Sequence, residues 1–141
     1  MIANSFNPVL FNFFSFHHSA QEKASTWIRI AQLFLEDEES VEAERYINRA
    51  SEVMRACADD KKLLLRYQVS FAKILDFKRQ FQRAALKYYQ LSLNTAVNAR
   101  EQLEYALENA IKCAVLAEVG PQRARLLTTL YKDERSIKTE R

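Results

Sequence analysis

IRIAQLFLEDEESVEAERYINRAS, residues 28–51, and VSFAKILDFKRQFQRAALKYYQLS, residues 69–92, carry one pattern of apolar and small residues at an offset of about forty positions. Laid over one another, they pair Ala31 with Ala72, Ala43 with Ala84 and Ser51 with Ser92, and most apolar positions between them coincide. That offset is the period of stacked two-helix repeats, in which each helix pair buries its apolar face against the next. A weaker third copy runs through NAIKCAVLAEVGPQRARLL, residues 109–127, where Ala124 takes the place of Ala84 and Gly120-Pro121 replaces the charged turn. Repeats of this kind present a surface; they do not enclose a reaction.

Composition points the same way. One Gly and two Pro in 141 residues leave almost no turn chemistry for β-hairpins. Good helix formers (Ala, Leu, Gln, Glu, Lys, Arg) fill the chain from residue 20 onward. The class expected is all-α. The length suits one domain but is short for a solenoid with polar capping units at both ends. Cys57 and Cys113 fall on apolar helical stripes, too far apart in sequence for a metal or disulfide motif, and read as buried free thiols of a reducing compartment. The apolar segment from Ile2 to Phe16 is interrupted by Asn4, Asn7, Pro8 and Asn12 and has no Lys or Arg before it, which fits neither a signal peptide nor a bilayer span. A soluble, intracellular protein is expected.

Caps and periodicity predict six helices. Ser19 and Glu22 form a capping-box signature, followed by a face of Trp27, Ile30, Ala31, Phe34 and Leu35 that ends in the acidic turn Glu36-Asp37-Glu38-Glu39. The second helix carries Ala43, Tyr46, Ile47, Ala50, Val53, Met54 and Cys57, with Glu42 and Glu44 in its first turn where the helix dipole favours anions. Asp59 or Asp60 can cap the third, whose stripe is Leu63, Leu64, Tyr67, Phe71, Ile74 and Leu75. The fourth uses Phe81, Ala84, Ala85, Tyr88 and Leu91. After a break marked by Asn94, Thr95 and Asn98, the fifth uses Leu103, Ala106, Leu107, Ala110, Ile111, Ala114 and Ala117. Gly120 suits a C′ position and Pro121 an N1 position, so the sixth helix, with Ala124, Leu127, Leu130 and Tyr131, should start within two residues of the fifth. Ala43, Ala84 and Ala124 each sit early in the second helix of a pair, where a small side chain lets two axes approach.

The residues an enzyme would need are missing. Phosphate-binding loops use several glycines, and this chain has one, in a Gly-Pro step. His17 and His18 are adjacent in the leader and have no further ligands at a zinc-like spacing. The acidic run at 36–39 reads as a solvated turn, and no pair of carboxylates is set in an apolar context for acid–base work. Tyr67, Phe71 and Tyr88 could serve as a stacking platform for bases, but at helical spacing they read as core. No cofactor, metal or small-molecule ligand is expected.

Charge is the surface feature above background. Between Glu36 and Asp60 nine acidic residues face three basic ones, whereas between Lys61 and Lys87 eight basic residues face Asp76 alone. Lys62, Arg66 and Lys73 lie along one side of the third helix, and Arg79, Arg83 and Lys87 follow at i, i+4, i+8 on the fourth. These six are the candidate partner-docking residues. Such a stripe either steers a partner or complements the acidic first repeat.

From Trp27 to Arg135 the chain resembles the PCI family, whose members occur in the COP9 signalosome, the proteasome lid and a translation initiation factor, and most of all the signalosome members. The resemblance is carried by IAQLFLEDEESVEAERYINRAS at 30–51, by Tyr67 with FAKILDFKRQFQRAALKYYQLS at 71–92, and by ALENAIKCAVLAEVGPQRARLLTTLYKDER at 106–135. GPQRARLLTTLYKDER is its most specific part, since a generic helical repeat has no need of that order. The resemblance implies a right-handed solenoid of about three antiparallel helix pairs, of the TPR/HEAT-like kind, lacking the winged-helix subdomain that follows in the family. It implies a disordered, non-family leader at 1–18, a helical-repeat domain at 19–132 and a tail or truncated helix at 133–141, as in a truncated product or excised fragment. It further implies a non-catalytic scaffold in nucleus and cytoplasm, bound to other signalosome subunits and to cullin-RING ligases. The parent complex would remove NEDD8 from cullins at a metal site on another subunit. A proteasome lid subunit and an RNA-binding helical module are the alternatives.

Overall fold

The computed structural model describes residues 18–94 and 100–135, all of whose regular elements are helical. They are α1 (Ala20–Glu36), α2 (Ser40–Met54) with a 3₁₀ turn at Arg55–Cys57, α3 (Lys61–Phe77), α4 (Phe81–Ser92), α5 (Arg100–Leu116) and α6 (Pro121–Lys132). The chain divides into two compact units, Met1–Ser70 and Phe71–Arg141, the division falling within α3. Residues 1–17 of the expected leader, His17 among them, and the final residues of the expected tail lie outside the described residues, as do Thr95 and Asn98 of the expected break.

In the first unit the capping box forms as expected. The Glu22 amide donates to Ser19 Oγ at 3.2 Å, and the Ser19 amide donates to Glu22 Oε2 at 3.1 Å. α1 packs along α2, and Ala24, Ile28, Ala31, Ala43, Ile47 and Ala50 are all fully enclosed. Ile30, expected on this face, is half-buried, and Ile28 takes the core position. The face runs through Ala24, Trp27, Ile28 and Ala31, so it begins a full turn earlier than the large side chains alone suggest. Tyr46 lies between Trp27 and Phe34, with ring centroids at 5.8 and 5.5 Å. The Arg49 guanidinium covers the Trp27 and Tyr46 rings at 5.6 and 5.3 Å. Met54 ends α2, so Cys57 joins the core from the 3₁₀ turn instead of from the helix. Asp60 is the residue that caps α3, its Oδ1 accepting from the Leu63 amide at 3.1 Å.

In the second unit α4 packs along α5, and α6 touches both. Ala84, Ala85, Tyr88, Leu107, Ala110, Cys113 and Ala114 form its core together with Ala72, Ile74 and Leu75 from the end of α3. Tyr88 is the largest side chain in it and hydrogen-bonds to Asp76.

The repeat is reproduced bond for bond in the backbone. Glu38 and Arg79, the two residues of positive φ among those described, occupy the left-handed region at 61° and 59°. Around the first, the Glu38 amide donates to Leu35 O and the Glu39 amide to Phe34 O; around the second, the Arg79 amide donates to Asp76 O and the Gln80 amide to Leu75 O. Both are six-to-one closures of a helix end, after which Glu39 O and Gln80 O accept from the Ala43 and Ala84 amides. Each turn folds a helix straight back, and an alanine without exposed surface follows it.

The third copy departs from this pattern. α5 ends at Leu116, and residues 117–120 separate it from α6. Gly120 is the N-cap of α6 at φ 171°, ψ 177°, an extended conformation open to any residue, and not a left-handed C′. Pro121 does occupy the start of the helix. Because the link is longer and extended, α6 does not fold back as its counterparts do. Ala124 is exposed, Leu127 is half-buried, Tyr131 is 82% exposed and Leu130 alone of the helix is buried.

Two outcomes test this register by thermal and urea denaturation. Ala84→Leu should overpack its site and cost about 1–3 kcal/mol, while Ala124→Leu at the nominally equivalent position should stay within about 0.5 kcal/mol of the parent. At the first turn, Glu38→Val should be less stable than Glu38→Gly by about 1–2 kcal/mol, since a β-branched residue resists the left-handed region that glycine enters freely. Equal stabilities in either pair would contradict the geometry.

Candidate partner-docking surface

The two units distribute the six candidate cations unevenly. On the first, Lys62 is exposed and Arg66 is half-buried, its Nη1 donating to Ser25 Oγ at 3.0 Å, so that it ties α3 to α1. On the second, Lys73 is half-buried and Arg79, Arg83 and Lys87 are exposed. Lys87 Nζ sits 5.8 Å over the Phe71 ring, and Arg83 Nη1 donates to Gln80 Oε1 at 2.6 Å. The expected i, i+4, i+8 stripe is broken at its first member: Arg79 lies in the left-handed turn, two residues before α4 begins, because closure of the preceding helix claims that position. None of the six forms an ion pair among the described residues. The ion pairs that do form include three within single helices, Arg45–Glu42, Arg100–Glu104 and Lys112–Glu108.

A polar clamp in the second unit had no periodic signal. Arg135 Nε and Nη2 grip the Asp133 carboxylate at 3.0 and 2.7 Å, while Nη1 donates to Ser92 O at 2.6 Å and Nη2 to Ser92 Oγ at 3.3 Å. The Tyr89 hydroxyl donates to the same carboxylate at 3.3 Å. Residues just beyond α6 are thereby tied to the last turn of α4. The KDER segment loses apolar periodicity because its contacts are polar. Its readable sign is the spacing of Asp133 and Arg135, which lets one aspartate accept from both the backbone and the side chain of the residue two further on.

Both cysteine thiols are enclosed in the core. Cys57 and Cys113 are free and buried. Burial, reinforced by the Asp76 carboxylate, pushes the Cys113 thiol up to about 12, leaving it protonated near neutrality and a poor nucleophile. The Tyr88 hydroxyl is raised for the same reasons, burial first. Among the described residues no three His, Cys, Asp or Glu side chains are grouped to hold a metal ion, and no helix is long and apolar enough to cross a membrane.

Fold and surface together define an all-helical protein of tightly closed antiparallel hairpins whose distinctive chemistry faces outward. Residues 16–100 match the family described as PSMD12/CSN4, N-terminal, and the chain belongs to that family. It is 48% identical over 118 residues to COP9 signalosome complex subunit 4 of Dictyostelium discoideum, 46% over 119 residues to that of Neurospora crassa, and 44% over 118 residues to that of Drosophila melanogaster. Each match covers 84% of this chain and 29%, 27% and 28% of the relative, so the chain spans less than a third of those proteins.

The clamp makes acid stability measurable. The Arg135 fork, opposed by burial and aided by the Tyr89 hydroxyl, holds the Asp133 carboxyl below its ordinary value of 3.8. Its contribution is complete above the unfolded-state value and fades as pH falls through the depressed folded value. Asp133→Asn should therefore be less stable than the parent at about pH 6, with the gap closing toward about pH 2. A gap independent of pH in urea titrations would assign the loss to something other than the carboxylate's charge.

Proposed function

We propose that this chain is a non-catalytic scaffold segment of a COP9 signalosome subunit, a helical-repeat arm that binds other subunits and supports removal of NEDD8 from cullin-RING ligases by the complex. The observation that carries the reading is identity of 44–48% to subunit 4 from slime mould, fungus and fly across 84% of the chain. Two closures of the same kind, at Glu38 and Arg79, support a helical repeat whose unit is one hairpin. Partner docking falls in this reading to the exposed cations, Lys62 on the first unit and Arg79, Arg83 and Lys87 on the second, which also carries Lys73. Arg66 keeps α3 on α1 and adds charge to the same region of the first unit. Segregated charge of this kind accelerates encounter with an acidic partner and gives it a salt dependence.

Affinity capture of the tagged chain from cells, followed by identification of what co-purifies, tests the reading. Signalosome subunits should be recovered, and their yield should fall when Lys62, Arg79, Arg83 and Lys87 are reversed to Glu with helicity retained. Capture of no signalosome subunit by a folded chain would refute the assignment. Retention of labelled RNA that falls steeply with salt, in place of protein partners, would favour the RNA-binding alternative.

A further inference from the structure

Of the three helices that lie wholly in the second unit, α6 is the least enclosed. Leu130 alone of its 12 residues is buried, whereas α4, of the same length, buries Ala84, Ala85, Tyr88, Leu91 and Ser92, and α5 buries Ala106, Leu107, Ala110, Cys113 and Ala114. Apolar burial is the main term that holds a helix to its neighbours, so α6 is attached chiefly by polar contacts near its two ends. At the start, the Gln82 amide donates to Gln122 Oε1, and the Arg123 guanidinium donates to Ala114 O and Val115 O of α5 at 3.3 and 3.0 Å. At the finish, Asp133 accepts from the Tyr89 hydroxyl and Arg135 donates to Ser92, both partners lying on α4. Contacts of this kind replace bonds to water, and each adds little net stability.

The helix does not hold itself together either. Isolated helices shorter than about 12–15 residues are marginal in water. Gly120 gives the N-terminus of α6 no side-chain cap. Thr128 and Thr129 turn their hydroxyls back onto Ala124 O and Arg125 O at 2.8 and 3.0 Å, an arrangement that slightly destabilises a helix. A helix built in this way stays helical only while it is docked. The link that carries it is unencumbered: Val119 is 84% exposed, and a Cβ placed on Gly120 would meet nothing within 4 Å. Rotation at these two residues displaces no enclosed side chain.

We propose that α6 is a releasable strap, which undocks and unfolds as one unit about Val119 and Gly120 while α4 and α5 stay paired. Release uncovers the side of that hairpin against which Leu130 is buried. The second unit then has a closed and an open state that differ in exposed apolar surface, and elements that move in binding and regulation are drawn from such low-stability units.

Amide hydrogen exchange of the full chain in increasing low concentrations of urea, together with limited trypsin digestion, tests this. Amides of α6 should be at least about tenfold less protected than those of α4 and α5, and their exchange should respond weakly to urea, as a small opening does. Trypsin should cut after Arg125 at least about tenfold faster than after Arg83 or Lys87, although all three side chains are exposed. Arg135→Ala removes the fastening at the far end and should speed the cut after Arg125 by about tenfold or more. Ile74→Val, at the end of α3 in the core of the second unit, should raise α4 exchange about three- to tenfold and leave α6 exchange as it was. Circular dichroism confirms that both variants fold, and the comparison of helices within the parent chain decides the matter without them. Equal protection and equal urea response across α4, α5 and α6 would overturn the proposal. So would cuts after Arg83 or Lys87 as early as the one after Arg125, a cut after Arg125 indifferent to Arg135→Ala, or α6 exchange raised by Ile74→Val as much as that of α4.

Discussion

A helix that reverses direction within three residues can pack against its predecessor only if the next side chains inward are small. Ala43 and Ala84 satisfy that constraint behind the two left-handed closures at Glu38 and Arg79, and neither retains exposed surface. A left-handed conformation costs an L residue about 1–2 kcal/mol. Enclosing an Ile, Leu or Phe contributes about 1.5–3 kcal/mol, and each hairpin carries several such enclosed side chains, Ile28, Phe34 and Ile47 in the first unit and Ile74, Leu75 and Leu91 in the second. The core therefore imposes the turn conformation. Glu and Arg are tolerated where glycine would be easier because the apolar faces on either side leave the chain no other closure.

This explains why the repeat could be read from sequence and where the reading broke down. The alanine pairs Ala31–Ala72 and Ala43–Ala84 and much of the amphipathic faces of α2, α4 and α5 are side-chain patterns, and the structure buries them. The Ser19–Glu22 box and the Asp60 cap are local bonds set by spacing, and they formed too. Errors arose where backbone geometry overrode periodicity. Arg79 is in helical register with Arg83 and Lys87 but belongs to a turn. Ala124 matches Ala84 in sequence, yet the extended link at Gly120 leaves it exposed. Ile28 displaced Ile30 because the buried face includes Ala24, whose small size gives it little weight in a hydrophobic pattern. The tie from Arg135 to Ser92 was invisible for the opposite reason: a polar contact between residues more than forty positions apart leaves no period to detect.

Buried polar chemistry here serves architecture. Asp76 receives the Tyr88 hydroxyl and reinforces the protonated state of Cys113, so the one carboxylate within the basic repeat is turned toward the second unit's core. Tyr67 likewise bonds with Ser51 and has its hydroxyl pKa raised, chiefly by burial. Groups stabilised in their neutral forms satisfy a core; they do not exchange protons near neutrality. Charge was the part of the candidate surface legible in the sequence; the bond of Arg66 to Ser25 and the place of Arg79 in a turn were not, since they depend on packing and on helix closure.

Within each unit, exposed ion pairs carry little of the folding energy. Exposed ion pairs contribute about 0–1 kcal/mol each, and three that form here, Arg45–Glu42, Arg100–Glu104 and Lys112–Glu108, stay within one helix. Among the described residues the six cations selected from the sequence pair with no carboxylate; the interactions they do make are with Ser25, with Gln80 and with the face of Phe71. Neutral partners of that kind orient a charge and leave its field intact. A field kept intact on rigid helices acts at a distance of about one Debye length, roughly 8 Å at physiological salt, which is the range over which an approaching surface is oriented before contact. The same division holds along the described residues: enclosed alanines and large apolar side chains determine how each hairpin closes, and the charges excluded from that core are free to determine what it meets.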